Sequence, residues 1–436
     1  MRILRARNIS PRFCQAKGTI AIGFLLRVAL GFALLLNVVV GASETEESFL
    51  GGRQERRPFF RLRDNATLYF GPGREVEEPA DVNEVRLGFF GPATQEDPKA
   101  GTIWAGCVLA LEQIQTVQLA GGKKPLRLLS YWSPNPWMGA VTQLARGVYE
   151  DGIWVVIGGI DGETTHLAAQ VAAKALIAIV SPGNTDKTSH LANVPWVFSV
   201  LPGDDLLAQL LAEHWLAKGL HREVVLLSAS DHDSRRFSVE LMQKLAGVGG
   251  GVRFRADFKP GTSALEGAVE EVLRMDPPCI MISADAQEAA RAVRLLRKAG
   301  YMRTLYGGPT FGQRMFQIGV GEDPGEVIFP FCWRKTSRTL EFVTAFQLRY
   351  GFPPDYLAAA GFDAVSICAA AIEVAGLNRA RINDALRQLS PWQGVSGEIR
   401  WDKAGMNLST PCLARFRDGH LEVQSAPNRW ELFFGQ

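Results

Sequence analysis

From Val85 onward, short unbroken apolar runs alternate with longer stretches in which apolar residues recur every three or four positions. The runs Val85–Phe90, Leu126–Tyr131, Trp154–Ile157, Leu176–Val180 and Trp196–Val200 predict strands. The stretches Ile103–Leu119, Gly139–Glu150 and Leu167–Lys174 predict helices. The first of these gathers Trp104, Cys107, Val108, Leu111 and Ile114 on one face. Strands that are apolar on both sides belong in a parallel sheet covered by helices on both faces.

After Pro202-Gly203-Asp204-Asp205 the alternation restarts. Strands are expected at Glu223–Leu227, Val252–Phe258, Cys279–Ser283, Thr304–Tyr306 and Gly325–Phe331. Helices are expected at Leu206–Lys218, Arg236–Leu245, Ala264–Arg274 and Ala286–Ala299. Helices at Arg338–Tyr350, Leu357–Ala375 and Ile382–Leu389 follow, then short strands near Glu398–Trp401 and Pro411–Phe416. Two such runs exceed one ordinary domain. The expected fold class is α/β with two lobes, each a parallel sheet flanked by helices, and a cleft between them. Residues 85–201 and 331–396 would form lobe 1, and residues 202–330 and 397–430 lobe 2.

The front of the chain differs. Arg2, Arg5, Arg7, Arg12, Lys17 and Arg27 precede the apolar run Val28–Val40, and small residues follow at Val40-Gly41-Ala42. A basic segment, an apolar segment and a small-residue cleavage site make residues 1–42 a signal peptide for export. An uncleaved anchor over Ile20–Val40 is the alternative. Residues 43–84, rich in charge, Gly and Pro, are expected to be a polar arm or linker. The whole chain carries a net charge of +2. Without the six basic leader residues, 41 basic residues face 45 acidic ones, a net of −4. No basic stripe with interleaved aromatics remains, so a nucleic-acid partner is not expected. Five cysteines remain after the leader; a Cys332–Cys412 bridge suits an oxidising compartment.

No nucleophile elbow, zinc-protease helix or phosphate loop is present, so neither catalysis nor a cofactor or metal is expected. His166 is expected at the surface or behind the site, and His232-Asp233 in a solvated loop. The candidate binding residues lie in two polar turns after neighbouring strands. Asp161, Gly162, Glu163, Thr164 and Thr165 open a helix, and Ser181 to Thr185, with Gly183 and Asn184, form the second turn. The carboxyl edge of a parallel sheet is where small ligands bind, and a helix start offers free amides there. The same hydroxyls also suit plain capping.

The segments Val85–Pro92, Gly152–Gly159 and Ile179–Thr185 resemble those of a known family. So do Leu295–Gly300, Tyr306–Pro309 and Gly397–Asp402, in order and spacing. The chain resembles the type I periplasmic solute-binding proteins of the leucine/isoleucine/valine-binding group, receptor subunits of ABC importers. The resemblance implies two lobes joined by three crossovers, near Val200–Pro202, Phe329–Phe331 and Pro391–Gly397. It also implies hinge closure on a small molecule, a monomer in the periplasm, and an ABC permease partner in the inner membrane. Carried over by position, the family's carboxylate-binding serine falls on Gly162, and its backbone-and-hydroxyl site on Gly183, Asn184 and Thr185. The aromatic of the second lobe falls near Phe237, a further aromatic near Asp285, and the acid that holds a ligand ammonium near Thr310. With Asp161 and Glu163 added opposite, the ligand is expected not to be a standard aliphatic amino acid; a cationic or polyhydroxylated one suits better. The run Ile160–Gln170 is also similar to a subgroup associated with quinoprotein alcohol oxidation. The alternative function is a sensor that passes closure to a membrane signalling partner.

Overall fold

The structure is a computed structural model that describes residues 68–433, apart from 192–193, 220–222, 322–323, 418 and 427–428. The expected leader over 1–42 and most of the expected 43–84 arm lie outside the described residues.

The first lobe is built on a six-stranded sheet of order β2-β3-β1-β4-β5-β6. Its strands are β1 (Val85–Phe90), β2 (Thr116–Leu119), β3 (Gly122–Ser130), β4 (Val155–Gly158), β5 (Ile179–Ser181) and β6 (Val197–Ser199). All pairs are parallel except β2 with β3. The expected Ile103–Leu119 helix is therefore corrected. It runs over Gly101–Ile114 only. Gln115 then takes a positive φ of 57°, and Thr116–Leu119 turns back as a hairpin on Gly122–Pro125. Val117 and Leu119 are buried while Gln118 is exposed, an alternation that fits a strand.

The second lobe carries an eight-stranded sheet, β16-β15-β14-β11-β10-β9-β7-β8. The parallel part comprises β7 (Glu223–Ala229), β8 (Gly251–Phe258), β9 (Ile280–Ser283), β10 (Leu305–Gly307) and β11 (Val327–Phe331). The antiparallel strands β14 (Cys412–Arg417), β15 (His420–Ala426) and β16 (Arg429–Leu432) extend it. The last two had no counterpart among the expected strands. Cys332 and Cys412 are buried free thiols, not a bridge.

Between β11 and β14 the chain returns to the first lobe and also forms a short antiparallel pair, β12 (Trp392–Gln393) and β13 (Glu398–Ile399). The Tyr356–Ala375 helix is buried along nearly its whole length and packs on Gly101–Ile114. A Cβ at Gly106 would strike the Ala358 carbonyl, and one at Gly361 the Ile103 carbonyl. The two helices thus meet backbone to backbone. Asp355 caps the later helix by accepting from the Ala358 amide, and so fixes the helix start at which the buried Tyr356 sits.

The described end of the arm is tied down. Arg74 makes a two-pronged ion pair with Asp384, and Asn378 donates to the Gly73 and Val76 carbonyls. Tyr69 packs on Trp196.

Candidate functional site

At the carboxyl ends of β4, β5, β7, β9 and β10, the lobes enclose a cavity of about 80 Å³. Lys99, Ile160, Asp161, Gly183, Thr185 and Leu357 line it from the first lobe, with Tyr356. Asp231, Asp233, Ser234, Phe237, Asp285, Thr310 and Gln313 line it from the second.

Among the ten residues expected to bind, Asp161, Gly183, Thr185, Phe237, Asp285 and Thr310 meet at this cavity. Glu163 instead accepts from the Trp137 indole at 2.8 Å. Thr164 closes a capping box with Asp161 at the start of the Gly162–Ala175 helix. Asn184 is buried and donates to Ser189 and Ser199, holding the second turn in shape. Gly162 lies beside the cavity rather than in its lining, and its amide is already taken. It donates to both carboxylate oxygens of Asp233, at 3.1 and 3.2 Å, across the gap between lobes.

Two expectations about His232-Asp233 are corrected. The helix expected over Arg236–Leu245 begins at His232 and runs to Gly247, so both residues lie in its first turn. Asp231 caps it by accepting from the Ser234 amide at 3.0 Å. Polar residues at a helix start carry no apolar periodicity, which is why the pattern missed the first turn.

Charge dominates the site. Asp161, Asp231, Asp233 and Asp285 face a single ammonium, Lys99. Lys99 donates to Asp161 at 3.2 Å, and that charge pushes its pKa up against the opposing effect of burial. Burial first, and the Asp161 charge second, push the Asp233 pKa well above the usual carboxylate range. Burial also raises that of Asp285. Asp285 caps the Ala286–Lys298 helix, with one oxygen accepting from the Gln287 and Glu288 amides. The Oδ2 of Asp231 is buried and has no partner. Phe237 and Tyr356, both buried, supply apolar walls, and Gln313 donates to the Tyr356 hydroxyl at 2.9 Å. Thr310 donates to the Ala284 carbonyl at 2.7 Å and so has only acceptor capacity left for the cavity.

The sequence reading missed Lys99, Asp231, Asp233, Gln313 and Tyr356 as lining residues. The DxD spacing of Asp231 and Asp233 at a strand end was the available signal. Lys99, in a polar loop far from the other residues, gave none.

The model of the family described as periplasmic binding protein matches residues 84–415, well over half the chain. The chain belongs to the periplasmic binding protein family. Solved structures share this fold. One is a leucine-binding protein from Thermotoga maritima, at 20% identity and a TM-score of 0.71, covering 79% of this chain and 98% of that one. Another is a branched-chain amino acid transporter substrate-binding protein from Streptococcus pneumoniae in complex with isoleucine. It has 18% identity and a TM-score of 0.69, with 80% and 99% covered. A third is an ABC-transporter solute-binding protein from R. palustris in complex with benzoate. It has 15% identity and a TM-score of 0.65, with 81% and 96% covered. As a periplasmic binding protein the chain has the two-lobed architecture, with its cavity between the lobes.

Proposed function

We propose that this chain is an exported receptor that encloses a small molecule between its lobes and delivers it to an ABC-type permease in the inner membrane. The basic and then apolar residues 1–42, which read as a leader, and the match to periplasmic binding proteins support a periplasmic location. The ligand is cationic or polyhydroxylated, and it is not a standard aliphatic amino acid.

The observation that carries the ligand class is the Asp233 carboxylate seated on the Gly162 amide. In the resemblance, that helix start receives a ligand's carboxylate. Here the protein's own acid occupies it. An incoming carboxylate would find the amide taken by Asp233 and would meet Asp161, Asp231 and Asp285, with Lys99 the one cation in the lining to balance them. Burying an anion among uncompensated anions costs several kcal/mol. An amine or a polyol instead donates hydrogen bonds, and the unpartnered Asp231 Oδ2 accepts one. Phe237 and Tyr356 can cover an apolar or cationic body. The isoleucine and benzoate seen in the related structures are anionic at one end, and both would be disfavoured in this cavity.

Thermal shift of the purified protein tests the reading. A panel of amines, amino alcohols, polyols, leucine, isoleucine and benzoate is compared. Amines or polyols are expected to raise the melting temperature and the carboxylates are not. A shift with leucine or benzoate alone contradicts the assignment.

A further inference from the structure

Beside the cavity, a second group of side chains spans the lobes. His166 lies on the Gly162–Ala175 helix, Asp186 in the turn after β5, and His232 at the start of the facing helix. The Nε2 atoms of His166 and His232 lie 3.1 and 2.8 Å from the same oxygen, Asp186 Oδ2. One atom from each of the three residues falls within 4.8 Å of the others. Both imidazoles are partly open to solvent, while the carboxylate is buried.

We propose that His166, Asp186 and His232 form a binding site for a divalent transition-metal ion such as zinc, completed only when the lobes close. Two imidazoles and one carboxylate oxygen suit zinc, cobalt or nickel, leaving one position for water. Around a zinc ion, with bonds of about 2.0–2.1 Å, ligand atoms sit roughly 3.3 Å apart. The two short contacts need to open by only a few tenths of an ångström for an ion to enter.

The surroundings support the site. Thr188 donates its amide and its hydroxyl to Asp186 Oδ1, at 2.8 and 2.7 Å. Its hydroxyl also lies 2.7 Å from Oδ2 and 3.1 Å from His166 Nε2, contacts an ion would displace. Arg236 Nε lies 3.4 Å from Oδ1 and steadies the oxygen that does not bind metal. Its positive charge is opposed by Glu240, and the Asp233 and Glu163 charges act on His232. Hydrogen bonds from both histidines and Thr188 overcome burial and keep Asp186 well below the usual carboxylate range.

Because His232 comes from the opposite lobe to the other two, bound metal favours the closed form. It is therefore linked to solute capture in both directions.

The test is calorimetric titration of the full chain with zinc chloride, and with cobalt(II) followed by visible absorption. One ion per chain is expected. His166→Ala and His232→Ala should each weaken binding at least tenfold, while His420→Ala, at an exposed histidine elsewhere, should not. Unchanged circular dichroism and melting without metal show that the histidine variants remain folded. No stoichiometric binding, or binding that survives either histidine substitution, overturns the site. The titration contains no solute, so its failure leaves the receptor reading standing on its own test.

Discussion

The Asp233 carboxylate of the second lobe accepts from the Gly162 amide of the first at 3.1 and 3.2 Å, occupying the start of the Gly162–Ala175 helix. The residue at 162 permits this. A Cβ there would collide with the Asp233 carboxylate and lie 2.7 Å from the Asp186 Cβ. Where the resemblance implies a ligand-facing hydroxyl, this chain has an inter-lobe contact.

Removing the acid should free the amide. Asp233→Ala is expected to gain leucine binding at least tenfold over the unaltered protein. A hydrogen bond from the freed amide to an incoming carboxylate is charge-assisted and worth about 1.5–3 kcal/mol. Calorimetry with leucine reads the gain. A variant as blind to leucine as the parent would mean that the remaining acids alone exclude it.

Restoring a side chain at 162 should prop the lobes apart. Gly162→Ser is expected to lower stability by about 1–3 kcal/mol through overpacking. It should also raise the radius of gyration by X-ray scattering in the absence of solute. An unchanged scattering curve and urea midpoint would show that the contact is slack.

Asp204 gives a pH signature. It is buried at the start of the Asp204–Ala217 helix, with Oδ1 accepting from the Lys187 amide and Oδ2 without a partner. Burial, helped by the charge of Asp186, pushes its pKa up to about 7. The unfolded chain protonates the same group near the ordinary ~3.9. Between these values the folded state holds more protons, so this group makes stability rise as pH falls from about 7 toward ~4. Above the folded pKa its charge is a standing cost. Asp204→Asn should flatten that part of the melting-temperature profile between pH 5 and 8. Parallel profiles for variant and parent would contradict the assignment.

The ion pair of Lys187 with Glu240 closes the same edge at 2.7 Å, and Glu240 is only 3% exposed. Lys187→Met leaves that carboxylate with Arg236 at 3.8 Å as its remaining cation. The expected loss is about 1–3 kcal/mol in urea unfolding. A loss within error would mean that Arg236 takes over the charge.

Much of this architecture was legible in the residues. The runs at Val85, Trp154, Cys279 and Gly325 became strands because buried parallel strands must be apolar on both faces. That position 162 carries no side chain was legible too. What filled the space was not, because Asp233 comes from the other lobe and nothing local links it to residue 162. The strands β15 and β16, at the antiparallel end of the sheet, escaped because His420, Glu422 and Gln424 alternate with apolar residues in a stretch too polar to read as core. The hairpin at Thr116 was hidden because Val117 and Leu119 also continue a helical stripe, and only the left-handed Gln115 ends it. Lys99 entered the site through tertiary placement alone, as its neighbours Pro98 and Ala100 carry no ligand chemistry.

An acidic cavity between the lobes, with the Gly162 amide already taken by Asp233, should select a hydrogen-bond-donating solute. Calorimetry on the unaltered protein and Asp231→Asn, against the best amine or polyol from the thermal-shift panel, tests it most directly. Saturable binding to the parent is expected, weakened about tenfold or more in the variant by loss of a charge-assisted hydrogen bond. Equal binding by both, or binding only of leucine-like carboxylates, would contradict it.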